Sequence, residues 1–181
     1  MTESTKIISF KTEELEADTR DAIINLCVLA HQEEDFKNLF SYVPSGGWHF
    51  LGFQEEGLVS HALVTTRWLQ PQGHPLLKTA YLDAVATLPI AQGRGHGSAL
   101  MRHLASSIDS AYTIGCLETE IAGFYEPLGW EVWRGPLAGR SEHGLIPTPE
   151  QKGIIVLRLS ETPALNLDST LTIECQAERI W

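Results

Sequence analysis

The chain reads as an α/β protein, a mixed α+β arrangement with one central mixed β-sheet flanked by helices. Three observations predict this. Short strand-like runs alternate with helical stretches along the 181 residues, the pattern of a sheet covered by helices. Apolar residues make up 43%, enough to bury one core, and the length suits a single domain over residues 1–181. A glycine-rich stretch, Gln92-Gly93-Arg94-Gly95-His96-Gly97, separates the strand-like "YLDAVATL" from the helix-like "SALMRHLASSI".

In chain order, "KIISF" predicts a short strand. "DTRDAIINLCVLAHQ" predicts a helix capped by Asp18 or Thr19, with Ile23, Ile24, Cys27, Val28 and Ala30 largely on one side. "EDFKNLFSYV" predicts a second helix, broken by Pro44-Ser45-Gly46-Gly47. "WHFLGFQ", the turn "EEG" and "LVSHALVTTRWL" predict an antiparallel hairpin. "PQGHP" is a loop, and "LLKTAYLDAVATL" is a long apolar strand. Gly97, Leu100, Met101, Leu104, Ala105 and Ile108 then recur at helical spacing, giving one buried stripe. "YTIGCLE" is a strand, "AGFYEPLG" a short helix, "WEVWR" a strand, and "GIIVLRL" closes the sheet. The remaining segments, "AGRSEHGLIPTPEQKG" and "SETPALNLDSTLTIECQAERIW", read as Pro-rich or turn-rich excursions.

Composition narrows the function. Net charge is −10, a poor surface for nucleic acid, whose phosphates need clustered Lys and Arg. No run of about 18 apolar residues exists to span a membrane, and "MTESTKIISFKTEELE" has no secretory pattern. Cys27, Cys116 and Cys175 are odd in number and far apart, which suits reduced thiols and a cytoplasmic location. The seven histidines are scattered without metal-ligand spacing, so no metal is expected. His61 alternates with apolar neighbours and reads as structural. Cys116 lies on a core strand with no helix N-terminus behind it, which argues against a thiol nucleophile.

The glycines call for a separate explanation. The first N–H groups of a helix have no intrahelical acceptor, and the macrodipole places partial positive charge there. Removing Cβ atoms lets a bulky anion reach those donors, and Arg94 adds a full charge. The dinucleotide fingerprint fails because Ser98 stands where a third glycine is needed, and the P-loop Lys-Ser/Thr pair is missing from this loop. Q-x-x-G-x-G after a strand remains.

That pattern is similar to the pyrophosphate loop of acyl-CoA N-acetyltransferases. The chain resembles the GNAT superfamily through "AVATLPIAQGRGHGSALMRHL" and through "GFYEPLGWEVW", where Tyr125, Gly129 and Trp130 match a Tyr-x-x-x-Gly-aromatic pattern. More specifically it resembles the aminoglycoside 2'-N-acetyltransferases, in "AYLDAVATLP", in "WRGPLAGRSEHGLIPTPEQKGIIVLRL" and in the tail "CQAERIW".

The resemblance implies a GNAT fold and acetyl-CoA as co-substrate. Its pantetheine arm would pair with the backbone of Val85, Ala86 and Thr87, and its pyrophosphate would lie on Gln92, Gly93, Arg94, Gly95, His96, Gly97 and Ser98. Asp83 is the implied base toward the incoming ammonium, directly or through a water, and Tyr125 the acid for the leaving thiolate. The aminoglycoside would be held by Asp35, Asp83, Ala84, Glu118, Lys152, Glu178, Arg179 and Trp181, the last through its terminal carboxylate. Phe40, Lys152 and Arg179 stand where such enzymes would carry acids. These exchanges fit a substrate with few amines and an acidic group, such as kasugamycin, better than a polyamino drug. Two other readings stay open: acetylation of another small amine, a polyamine or a protein lysine, and a non-catalytic acyl-CoA-binding module. Retention of both Asp83 and Tyr125 favours catalysis. Homodimerisation is left open.

Overall fold

Alternating apolar residues produce the expected hairpin. Trp48–Gln54 (β2) and Gly57–Pro71 (β3) pair antiparallel, with Leu51 opposite His61 and His49 opposite Leu63. Lys6–Lys11 (β1) pairs antiparallel with β2, placing Ile8 opposite Leu51. The computed structural model describes residues 5–55, 57–176 and 179–181. They divide into two compact units, the first running to Thr65 and including Leu82–Ser106, the second made of Thr66–Tyr81 and Ser107–Trp181.

In the first unit, Ala17–His31 (α1) buries Ile23, Leu26 and Cys27. The N-cap is Glu16, two residues before Asp18 and three before Thr19, the expected caps, and no side chain caps it. Asp18 lies instead in the first turn, where its charge suits the helix dipole. The expected second helix is only half α-helical: Glu34–Asn38 is a 3-10 segment, and Leu39–Tyr42 (α2) is one turn that buries Leu39. A stretch this short is marginal as a helix, and one buried anchor does not extend it.

Leu77–Thr87 (β4) forms as expected, with one irregularity. Ala84 has φ 50°, a left-handed conformation that costs a residue bearing a Cβ about 1–2 kcal/mol. Thr79 to Leu82 before it are all buried, whereas Asp83, Ala84 and Val85 are all half-buried. His96–Ile108 (α3) follows the glycines and buries Leu100, Met101, Leu104 and Ile108, each contributing about 1.5–3 kcal/mol over exposure.

The second unit holds Ile114–Glu118 (β5), Ala122–Tyr125 (α4), Trp130–Val132 (β6), Leu137–Ser141 (β7), Gly144–Pro147 (β8), Ile154–Arg158 (β9) and Leu171–Glu174 (β10). Strand order along its sheet is β6-β9-β5-β4-β3-β10-β7-β8. Two expectations are corrected here. The segment "GIIVLRL" does not close the sheet, since β9 lies between β6 and β5. The supposed excursions supply β7, β8 and β10, with β10 antiparallel to β3 and parallel to β7. Pro147 is tolerated because it ends β8, an exposed strand at the end of that order. Leu69, Leu77, Tyr81, Ile114, Val156, Ile173 and Trp181 form part of this unit's core.

Candidate active-site elements

The glycine loop is built by backbone geometry. After β4, a 3-10 turn at Pro89–Ala91 leads to Gln92, whose side-chain amide donates to the Thr87 carbonyl at 3.1 Å. Gly93 and Gly95 have φ of 72° and 87°, and a Cβ built on either meets no atom within 4 Å. The dihedrals demand glycine there, and packing does not. Arg94 between them is exposed. The Ala99 amide donates to the Gly95 carbonyl at 2.9 Å, starting α3. His96 turns its imidazole inward, with Nδ1 2.8 Å from Thr5 Oγ1. Gly97 and Ser98 are the next helical residues.

A hydrogen-bonded row of buried side chains meets the kink in β4. His61 Nδ1 lies 2.8 Å from the Ala84 carbonyl oxygen, and His61 Nε2 lies 3.0 Å from His49 Nδ1. His49 Nε2 lies 3.1 Å from Thr12 Oγ1. Both imidazoles are fully buried. The Phe40 ring stacks on His49 at 5.5 Å, and the Arg20 guanidinium lies over Phe40 at 4.9 Å. Phe40, at a position where an acid was expected, thus covers a neutral imidazole. The His31 ring, at the end of α1, hydrogen-bonds the Val85 backbone and stacks on Phe36 at 4.7 Å.

Burial lowers the His61 pKa to about 3, helped by the His49 and His31 charges. Burial also lowers His49 to about 4, with Arg20 pushing the same way. An unfolded histidine binds its proton near pH 6.5, so the unfolded chain holds more protons than the folded one below that value. The stability tied to these two rings is complete above pH 6.5 and is lost as pH falls toward 4. Each pH unit in that window costs about 1.4 kcal/mol per imidazole. Urea midpoints measured at pH 7, 6 and 5 should fall steeply over the last step, before most carboxylates titrate. A flat profile would show that the rings are not held neutral.

In the second unit, Tyr125 ends α4 and is buried. Its ring meets Phe124 at 4.8 Å and Trp130 at 6.0 Å, both edge-on. Burial pushes its phenol up to about 12, so the hydroxyl keeps its proton at neutral pH. Glu118 is exposed at the end of β5 and accepts the Gln151 side-chain amide at 2.7 Å. The same Gln151 amide donates to the carbonyl of Lys152, whose side chain is exposed. Arg179 Nε donates to the Trp181 backbone oxygen at 2.7 Å, and its guanidinium lies over the Tyr81 ring at 5.2 Å. The Trp181 indole is buried and donates to Thr148 Oγ1 at 3.0 Å. Glu178 falls outside the described residues.

The first unit therefore carries Asp83, Ala84, Val85, Ala86 and Thr87 on one strand, running directly into the 92–98 loop. Asp35 lies apart from them in sequence, exposed in the 3-10 segment before α2. The second unit pairs Glu118 with the neighbour of Lys152, and Arg179 with Trp181. Sequence reading missed His31, His49 and Thr12. The available signal was a pair of histidines at apolar positions of one hairpin, whose register had still to be known. Among the described residues no group of three His, Cys, Asp or Glu side chains could hold a metal ion. No helix among them is long and apolar enough to cross a membrane.

Comparison with known proteins gives the following. Residues 11–133 match a family described as the acetyltransferase (GNAT) domain. An aminoglycoside 2'-N-acetyltransferase of Mycolicibacterium fortuitum is 29% identical over 167 residues, covering 91% of this chain and 85% of that protein. Among solved structures, the Escherichia coli GNAT family N-acetyltransferase YhbS in complex with CoA superposes with TM-score 0.64 at 13% identity, covering 97% of this chain and 93% of YhbS. Eis1 of Mycobacterium abscessus gives TM-score 0.59 at 17% identity over 75% of this chain. The chain spans about a third of the length of Eis1 and of two further structural neighbours. These structural likenesses establish the fold.

Proposed function

The chain belongs to the GNAT acetyltransferase family, and we propose that it transfers the acetyl group of acetyl-CoA to an amine of an aminoglycoside, at the 2'-amino position. The observation that carries this reading is the kinked strand β4, with half-buried Asp83, running into the left-handed glycines and helix α3. The M. fortuitum relative, similar over 91% of the chain, supports the substrate class. Retention of Asp83 and Tyr125 distinguishes this reading from a binding module, which needs neither group.

The chemistry asks three things of this chain. Asp83 takes the proton that the ammonium must lose before its nitrogen can attack, directly or through a water. A backbone N–H of β4 at Val85 polarises the thioester carbonyl. Tyr125 gives its phenolic proton to the sulfur as the C–S bond breaks and the N–C bond forms. The amides of Gly93 to Ser98, with Arg94, hold the pyrophosphate. The same co-substrate puts the reaction in the cytoplasm, where acetyl-CoA is made.

Within the aminoglycosides we favour kasugamycin over polyamino drugs. Its carboxylate suits Arg179, whose guanidinium is oriented by Tyr81 and the Trp181 oxygen, and Lys152, which likewise stands where an acid is expected. A hydrogen bond to a charged group contributes roughly 1.5–3 kcal/mol, about ten- to a hundredfold in affinity. Thiol release from acetyl-CoA should be measured with kasugamycin, the polyamino drug tobramycin, spermidine and a lysine peptide. The expected result is turnover with the aminoglycosides, kcat/KM higher for kasugamycin, and a preference partly reversed in Arg179→Asp. Preference for tobramycin in the wild type would overturn the kasugamycin assignment. Turnover with the peptide alone would overturn the substrate class.

A further inference from the structure

A left-handed alanine in the middle of a strand persists only where its surroundings hold it. The hydrogen bonds around Ala84 show what does so. Its carbonyl oxygen can only accept, and His61 Nδ1 lies 2.8 Å from it. Two acceptors at that distance would repel, so Nδ1 carries the hydrogen. A neutral His61 then has a bare Nε2, and His49 Nδ1, 3.0 Å away, must donate to it. His49 Nε2 is bare in turn, and the Thr12 hydroxyl, which lies 3.1 Å from it and 3.2 Å from the Gly47 carbonyl oxygen, is the one group among the described residues that can donate to it. The row has one direction throughout, from Thr12 through His49 and His61 to the Ala84 carbonyl. The Cys27 thiol lies close by, with Sγ 3.8 Å from His61 Nδ1 and 3.9 Å from the Ala84 oxygen. On the next residue, the His31 ring hydrogen-bonds the Val85 backbone.

We propose that His61, set by His49 and Thr12, is a positioning residue that holds the Ala84 kink and thereby aims Asp83 and the Val85 amide. This rests on the acetyltransferase reading above. His61 touches neither substrate nor acetyl-CoA in this assignment; it acts through the backbone of β4. Ordinary core packing asks for no tautomer at all. Positioning asks for one at each ring, Nδ1–H on His61 and Nδ1–H on His49.

The first test uses the wild-type protein alone. Nitrogen-15 NMR of the imidazoles at pH 7 should show both His49 and His61 neutral and protonated at Nδ1. A His61 protonated at Nε2 with bare Nδ1 overturns the proposal, whatever the enzyme acetylates. The second test is kinetic. His61→Leu removes the donor and should lower kcat at least tenfold, on the order of lost catalytic alignment, with acetyl-CoA Kd nearly unchanged. His61→Asn keeps an N–H at a similar reach and should recover most of that loss. Ala84→Gly added to His61→Leu should also restore turnover, because glycine takes positive φ without strain. If the added glycine rescues nothing while His61→Leu stays folded, the role is packing and the proposal fails. If His61→Leu does not fold, Ala84→Gly on His61→Asn and the tautomers decide. A wild type that releases no thiol with any amine refutes the acetyltransferase reading and leaves the tautomer result to stand or fall separately.

Discussion

Tyr125→Phe should lower kcat by about 10²–10⁴-fold, the usual contribution of a positioned proton donor, and leave acetyl-CoA affinity nearly unchanged. The substitution keeps the ring, so the edge-on contacts with Phe124 and Trp130 survive, and stability should barely move. Only the hydroxyl is lost. Burial holds that hydroxyl protonated to about 12, so the wild-type rate should show no loss from phenol ionisation up to pH 9. Asp83→Asn acts on the opposite limb, weakening the rise of rate with pH that reports removal of the substrate's proton. Steady-state kinetics with acetyl-CoA titration separates the effects, since a group needed only for the chemical step changes kcat and kcat/KM together. Full turnover in a folded Tyr125→Phe protein would remove Tyr125 from the mechanism.

Sequence patterns are readable where a physical period is long enough to be recognised. The β2–β3 hairpin and α3 meet that condition: each carries several apolar residues at one spacing, and each appears where the pattern put it. Strand β10 does not, because Leu171–Glu174 has four residues and so only two positions on each face. Its pairing with β3 and β7 comes from the packing of Leu171 and Ile173 in the core, which local sequence does not display. The 34–43 segment failed for a related reason, with Leu39 the lone buried residue of its two short pieces.

The candidate site divides along the same line. The glycine loop is local, and Gly93 and Gly95 announce positive φ by being glycine. Ala84 announces nothing, since alanine is the residue of helices and ordinary strands, and its kink is imposed from outside by His61. His49 and His61 stand twelve residues apart, and only the register that puts Leu51 opposite His61 brings them to one face. Arg179 was legible as a charge. Its stacking on Tyr81 and its bond to Trp181 required the fold of the second unit.

Gly97→Val should weaken acetyl-CoA binding by about ten- to a hundredfold, the loss expected for one charge-assisted hydrogen bond of roughly 1.5–3 kcal/mol. The position is chosen because it separates ligand approach from backbone strain. Gly93 and Gly95 have positive φ, so any side chain there strains the loop and confuses the outcome. Gly97 is the second residue of α3 and is not among the positive-φ glycines, so a Cβ suits its backbone. Gly97→Ala should even add up to about 0.5–1 kcal/mol of stability, as alanine does over glycine inside a helix. A stable Gly97→Ala protein shows that the helix start accepts a side chain, so a binding loss in Gly97→Val does not come from general damage to the loop. Isothermal titration with acetyl-CoA and with dephosphorylated pantetheine locates the effect: the loss should appear for the former and vanish for the latter, which has no pyrophosphate. Unchanged acetyl-CoA affinity in a Gly97→Val protein that melts normally would place the pyrophosphate elsewhere than the start of α3.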